Sequence, residues 1–227
     1  MIIKDKLIVV LDLDDTLYNE IDFLKSAYKA ISNLLSKHTD LSSERIFQDM
    51  MQFYSDGENA FQSIITSTQV KGITIKDLLL LYRQHSPDIS LSVDNKEALQ
   101  YLKAHTHKIG LVTDGRSVQQ RSKIVALELE DYFDDIIISE EFGSEKPNPN
   151  NFKYYNDKYG QGQYIYVGDN VKKDFIAPNA LGWHSVCLLD NGKNIHTQHI
   201  NLTAAQTPKY KIKTLIELKQ ILNQIIK

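Results

Sequence analysis

The apolar positions of the chain follow two rhythms. Five short runs are almost wholly apolar, rich in Val and Ile, and bounded by polar or turn residues: Leu7 to Leu11, Lys108 to Thr113, Asp135 to Ser139, Tyr164 to Gly168 and His184 to Leu189. Runs of this length and composition predict strands buried on both faces, as in a parallel sheet. From Asp94 onward, stretches of helical periodicity separate them. Lys96 to Lys103 follows an Asp94/Glu97 pair and Val118 to Leu127 follows a Ser117/Gln120 pair, each spaced as a capping box. A third helix is predicted from Asn148, with Pro149 in its first turn, to Gly160. A fourth lies between Lys172 and Leu181, with Pro178 as a kink or late break. Strand and helix alternating in this way predict an α/β fold, a doubly wound parallel sheet with helices on both faces.

Between Tyr18 and Leu91 the alternation stops. Helical periodicity runs through Ile21 to Leu35, Glu44 to Tyr54 and Ile75 to His85 without a convincing strand, so this region predicts a helical insertion. Thr74 with Asp77 predicts the N-cap of its last helix, and Asp56-Gly57 and Lys71-Gly72 predict turns. Past the fifth strand, Asn191 to Pro208 is polar and reads as a loop, and Lys209 to Lys213 as a short edge strand. Thr214/Glu217 then predicts the cap of a final helix whose Leu215, Leu218, Leu222 and Ile225 share one face.

Composition narrows the functional classes. The chain has 227 residues, 42% of them hydrophobic and 24% charged, which is the profile of a globular protein with room for one core and an insertion. Its net charge of −3 argues against broad nucleic-acid binding, which depends on Lys and Arg neutralising phosphates. Cys187 is the single cysteine, so no internal disulfide and no cysteine zinc cluster can form, and a cytoplasmic setting is expected. The first apolar run meets Asp12 too early to serve as a signal sequence, and no stretch approaches the ~20 apolar residues of a membrane span.

Candidate chemistry clusters at the strand ends. The run Leu7 to Leu11 leads directly into Asp12-Leu13-Asp14-Asp15-Thr16, three carboxylates where a parallel sheet opens into a ligand crevice. Acids crowded there repel one another unless a cation compensates, and oxygen ligands alone favour magnesium. The second strand ends Thr113-Asp114-Gly115, which offers a hydroxyl and backbone N–H groups to an anion. Lys146 sits in Glu145-Lys146-Pro147-Asn148-Pro149, where its ammonium could neutralise a phosphoryl oxygen. The fourth strand ends Gly168-Asp169-Asn170, with Asp174 about one helical turn on, so both carboxylates can face one metal. Singly, each piece has a plain structural role as a turn residue, a cap or a solvated loop charge. Their common order along the chain points to a shared site.

With these four pieces in this order, the chain resembles the haloacid dehalogenase-like superfamily of hydrolases. Asp12 to Thr16 resembles its first motif, Thr113 its second, Lys146 its third, and Gly168-Asp169 through Asp174 its fourth. The resemblance implies a Rossmann-like sheet of strand order 3-2-1-4-5 with a helical cap domain over residues 18–91, inserted in a catalytic core of residues 1–17 and 92–227. It further implies a magnesium-dependent phosphatase acting on a small phosphorylated metabolite such as a sugar phosphate, nucleotide or phosphoglycolate-like acid. Asp12 would be the nucleophile and Asp14 the acid and base. Thr113, Lys146 and the backbone at Asp114 and Gly115 would hold phosphoryl oxygens. Magnesium would be held by Asp12, the Asp14 carbonyl and Asp169, with Asp174 either touching the metal directly or standing just behind these ligands. Asp14 favours phosphoryl transfer over dehalogenation, since a halide leaves without a proton. A phosphosugar mutase of the same fold and a non-catalytic phospho-signalling module remain alternatives, and the chain is expected as a monomer or homodimer. Asn170 departs from the small hydroxyl often found there.

Other polar residues carry weaker signals. His196 and His199 have metal-like spacing but lie in a polar loop, and His105 and His107 flank a turn, so all four read as solvated. Trp183 and Cys187 read as core, and Lys209, Lys211 and Lys213 as protection of a sheet edge. Arg45, Tyr54, Phe61 and Arg83 of the insertion are left open between substrate contact and packing.

Overall fold

The computed structural model describes residues 7–198 and 201–225. Six parallel strands form one sheet in the order β3-β2-β1-β4-β5-β6. They are β1 (Leu7–Leu11), β2 (Lys108–Thr113), β3 (Asp135–Ile138), β4 (Gln163–Gly168), β5 (His184–Leu188) and β6 (Tyr210–Ile212). The central strand β1 pairs with β2 on one side, where Leu11 lies opposite Leu111, and with β4 on the other, where Leu11 lies opposite Val167. The strand order reverses between β1 and β4, and ligands of such sheets bind where the strands end at that reversal.

Every residue of β1 is buried, because its two faces serve two different cores. Leu7, Val9 and Leu11 join one cluster with Leu99 and Leu102 of α5 (Val93–His105) and Leu218 and Leu222 of α10 (Leu218–Ile225). Ile8 and Val10 join the opposite cluster with Phe152 and Tyr155 of α8 (Asn150–Tyr159) and with Trp183 and Cys187. Each fully buried aliphatic side chain contributes roughly 1.5–3 kcal/mol, so the strand that ends at Asp12 is also the most firmly anchored. Gly110 in β2 is needed for this packing: a Cβ there would lie 2.2 Å from the Tyr155 ring.

Between β1 and α5 lie α1 (Glu20–Leu35), α2 (Ser43–Ser55), α3 (Ala60–Thr68) and α4 (Ile75–Gln84). They share a cluster of their own, including Leu24, Ile31, Ile46, Met50, Ile64 and Leu78. The Thr74/Asp77 capping box is present at the start of α4. Helix α3 has no counterpart in the sequence reading. Its sequence AFQSIITST is rich in β-branched and hydroxyl residues of modest helix propensity, and only Ala60 and Ile64 are fully buried on it.

Three expected caps are corrected. Ser92, not Asp94, caps α5, its side chain accepting from the Asn95 N–H. Helix α6 (Ser117–Ala126) has no side-chain cap from its own sequence, since Gln120 turns inward and Glu140 accepts the Ser117 N–H instead. Before α10, the Thr214 hydroxyl donates to Glu217 without capping the backbone, and the chain makes a 3-10 turn over Leu215–Glu217. The helix expected from Lys172 shrinks to α9 (Ile176–Ala180), preceded by a turn in which the Asp174 N–H donates to the Asn170 carbonyl. Pro178 sits in the first turn of α9, where a missing N–H costs nothing. Among the described residues, no helix is long and apolar enough to cross a membrane. His199 lies outside the described residues, and His196 is exposed.

Candidate active site

Asp12 continues β1 by donating its N–H to the Val167 carbonyl at 2.9 Å, so the sheet ladder itself fixes the first carboxylate. Its Oδ1 accepts from the Leu13 N–H at 2.8 Å and its Oδ2 meets the Lys146 ammonium at 2.8 Å. Lys146 is buried and also reaches Asp174 Oδ1 at 2.9 Å, while donating to the Tyr166 hydroxyl at 3.1 Å. Burial disfavours its charge, but the two carboxylates prevail and hold the ammonium well above its ordinary range. Asp174 is fully buried, and its Oδ2 accepts the Asp169 and Asn170 N–H groups at 3.2 and 2.9 Å. Only glycine fits beside it: a Cβ on Gly168 would lie 2.4 Å from Asp174 Oδ2.

Carboxylate oxygens of Asp12, Asp169 and Asp174 lie within 4.8 Å of one another. Three acids therefore face one ammonium. Asp169 has no cationic partner among the described residues, and its Oδ2 takes only the Asn194 amide at 2.9 Å. Burial, then repulsion from Asp174 and Asp12, pushes Asp169 up to about 9. Burial likewise raises Asp12 to about 7, against the pull of Lys146. A buried cluster of hard oxygen donors that holds too much negative charge fits a small divalent cation such as magnesium.

Asp14 is arranged differently. Its carboxylate faces α6, with Oδ1 accepting from the Tyr18 hydroxyl at 2.6 Å and Lys123 at 2.7 Å, and Oδ2 from Gln120 at 2.9 Å. Burial alone would raise it, but Lys123 and these donors hold it below its ordinary value. Gln120 also donates to the Thr113 hydroxyl at 2.5 Å, tying that residue to Asp14. Asp15 adopts a left-handed backbone, φ 52°, and its carboxylate accepts from the Glu20 and Ile195 N–H groups, both at 2.8 Å. An Asp side chain that bonds its own loop tolerates that conformation.

A cavity of about 90 Å³ lies over these groups, its wall including Asp12, Asp14, Thr113, Asp114, Lys146 and Asp169. Asp114 lends its carboxylate to the Lys146 N–H at 3.0 Å and to the Lys173 ammonium at 2.7 Å. Gly115 is drawn aside. Its N–H donates to the Ser139 hydroxyl at 2.9 Å, and its bare Cα lets the Gln120 side chain pass, a Cβ there lying 3.0 Å from it.

Several groups around the site escaped the sequence reading: Gln120, Lys123, Glu20, Tyr166, Lys173, Asn194 and His196. Gln120 and Lys123 had a usable signal. They stand three residues apart on one helix face, in line with the buried Ile124 and Leu127. Glu20 lines the cavity from α1, and burial followed by the nearby Asp14 pushes it up to about 8.

A parallel sheet with this carboxylate cluster at its reversal point is an α/β fold with an acidic site at its ligand crevice. The chain belongs to the haloacid dehalogenase-like hydrolase family, whose sequence profile matches residues 9–188. It is 29% identical over 238 residues to the glyceraldehyde 3-phosphate phosphatase of Methanocaldococcus jannaschii, covering 96% of this chain and 98% of that protein. It is 33% identical over 118 residues to the pyrimidine 5'-nucleotidase YjjG of Escherichia coli, covering 51% of this chain and 49% of that one. The fold matches that of YfnB from Bacillus subtilis, solved bound to magnesium, with a TM-score of 0.63 at 18% identity over 96% of this chain and 99% of the other.

Proposed function

We propose that the protein is a magnesium-dependent phosphatase that transfers the phosphoryl group of a small phosphomonoester to Asp12 and then to water. The observation that carries this is the convergence of Asp12, Asp169 and Asp174, whose carboxylate oxygens lie within 4.8 Å of one another, with Lys146 paired to Asp12 and Asp174. Asp12 would attack phosphorus, dividing one hard displacement into two easier ones. Asp14, which Lys123 and Gln120 hold as a carboxylate in this structure, would take up the proton that a phosphomonoester monoanion brings, pass it to the leaving oxygen and later take one from water. Lys146, the Thr113 hydroxyl and the backbone at Asp114 would hold the phosphoryl oxygens as charge spreads over them. The role of Gly115 is to make room for Gln120, since its own N–H is taken by Ser139. Magnesium, held by Asp12, the Asp14 carbonyl and Asp169 with Asp174 beside it, would offset the repulsion between carboxylate and phosphate. Asp174 acts chiefly as a brace, since Lys146 and two N–H groups engage its oxygens.

Residues 18–91 would form a cap over a core of residues 1–17 and 92–227. The separate hydrophobic cluster of α1 to α4 supports this division, as does Glu20 on the cavity wall. Tyr54 and Tyr82 of the same segment have hydroxyls raised by burial and then by Glu20. A phosphosugar such as glyceraldehyde 3-phosphate, the substrate named for the Methanocaldococcus relative, is the first class to try. A cytoplasmic monomer or homodimer is the expected form. The test is a screen for magnesium-dependent phosphate release over sugar phosphates, nucleotides and small phospho-acids. Release by the wild-type protein and none by Asp12→Asn is the expected outcome, and equal release by both would exclude the proposed nucleophile.

A further inference from the structure

The polar sequence from Asn191 to Pro208 reads as a loop. In the structure its first part, with Asp190 before it, runs as far as Gln198 across the site. Its Asn194 amide donates to Asp169 Oδ2 at 2.9 Å, and its Ile195 N–H donates to Asp15 Oδ2 at 2.8 Å. Gln198 donates to the Asp169 carbonyl at 3.0 Å and to the Leu188 carbonyl at 2.8 Å, so the segment grips both β4 and β5 at their ends. Asn191 reaches Asn19 at 3.1 Å, and the Ile195 side chain packs against the cluster formed by α1 to α4. His196, next in the chain, stands on the wall of the 90 Å³ cavity.

We propose that this segment is a strap that completes the active site, with Asn194 positioning Asp169 and His196 contacting the leaving group of the substrate. Asp169 is the one acid of the cluster with no ammonium to hold it, so the neutral amide is what fixes its orientation. With Oδ2 engaged by Asn194, Oδ1 accepts no hydrogen bond from the described residues and is free for a metal ion. A carboxylate oriented from behind by a neutral donor presents its other oxygen to a cation with no competing ammonium, and losing such a partner costs about 10–100-fold in metal affinity or activity. His196 lines the same cavity as Thr113 and Lys146 and comes with the strap, while Lys173, on the same wall, is already paired with Asp114. That leaves the imidazole as an adaptable hydrogen-bonding group for the part of the substrate beyond the phosphate.

The part played by His196 rests on the phosphatase activity proposed above, and the part played by Asn194 is measured without it. Asn194 is half buried and His196 exposed, so truncating either leaves the cores untouched. Magnesium titrated alone against thermal melting should give a midpoint at least about tenfold higher for Asn194→Ala than for wild type, with Asn194→Ser as a second variant. A wild-type midpoint in both would overturn the assignment of Asn194. For His196→Ala, the ester turned over fastest in the screen should show a several-fold higher KM, with inhibition by inorganic phosphate unchanged. An unchanged KM would overturn the assignment of His196. If the wild-type protein hydrolyses no ester, the phosphatase activity and the role of His196 fall together, while the magnesium titration still decides Asn194.

Discussion

At the scale of single residues, charge balance controls the site. Lys146 is shared by Asp12 and Asp174, Lys123 serves Asp14 with Glu20 at 3.8 Å, and Asp169 is left to an amide. Burial and mutual repulsion raise Asp169 to about 9 and Asp12 to about 7 from an ordinary 3.8. A carboxyl group whose value rises on folding binds protons more tightly in the folded state. The stability it contributes is therefore full in acid and is lost as pH climbs from 3.8 through about 9. Magnesium competes with those protons. Melting curves should show a larger magnesium-induced rise in Tm near pH ~8.5 than near pH ~6, and a rise that shrinks with increasing pH would contradict the assignment of the cluster. Lys123→Met should lower stability by about 3–5 kcal/mol in urea denaturation, because it leaves Asp14 and Glu20 without their cation; a loss under ~1 kcal/mol would mean the pair is solvated.

At the scale of elements, function depends on where strands stop and which helix face looks back at them. Alternation of apolar runs was enough to read β1 to β5, because buried parallel strands have little freedom to be anything else. The acids following β1 and β4 were legible for the same reason, since a carboxylate directly after such a strand must lie at the sheet end. Gln120 was misread because its spacing from Ser117 satisfies a capping rule, whereas the cap comes from Glu140, a residue on a neighbouring element that local sequence does not reveal. Helix α3 was missed because its helicity comes from packing against α2 and α4, not from propensity. Gly110→Ala tests the packing of β2 on α8. Its methyl group would overlap the Tyr155 ring, so a loss of about 1–3 kcal/mol is expected in chemical denaturation, with Tyr155→Leu in the same background recovering part of it.

At the scale of the whole molecule, one sheet carries the acidic cluster at its strand ends, and α1 and the segment after β5 each bring a residue to the cavity over it. Glu20 of α1 and His196 of the strap after β5 line the cavity, and Asn194 of the strap donates to Asp169. Helical periodicity between Tyr18 and Leu91 made the insertion legible as a whole, though not Glu20 as a residue of the cavity wall. The strap was not legible, because its contacts join residues as far apart as Ile195 and Asp15, and a polar loop of that kind has no periodicity to betray them. Whether the assembled site transfers phosphate to Asp12 is decided most directly by acid-quenching the protein during turnover of a radiolabelled phosphoester with magnesium. Label should remain on the denatured wild-type chain, map to the peptide containing Asp12, and be absent from Asp12→Asn. Continued phosphate release by Asp12→Asn, or label carried elsewhere, would contradict the account.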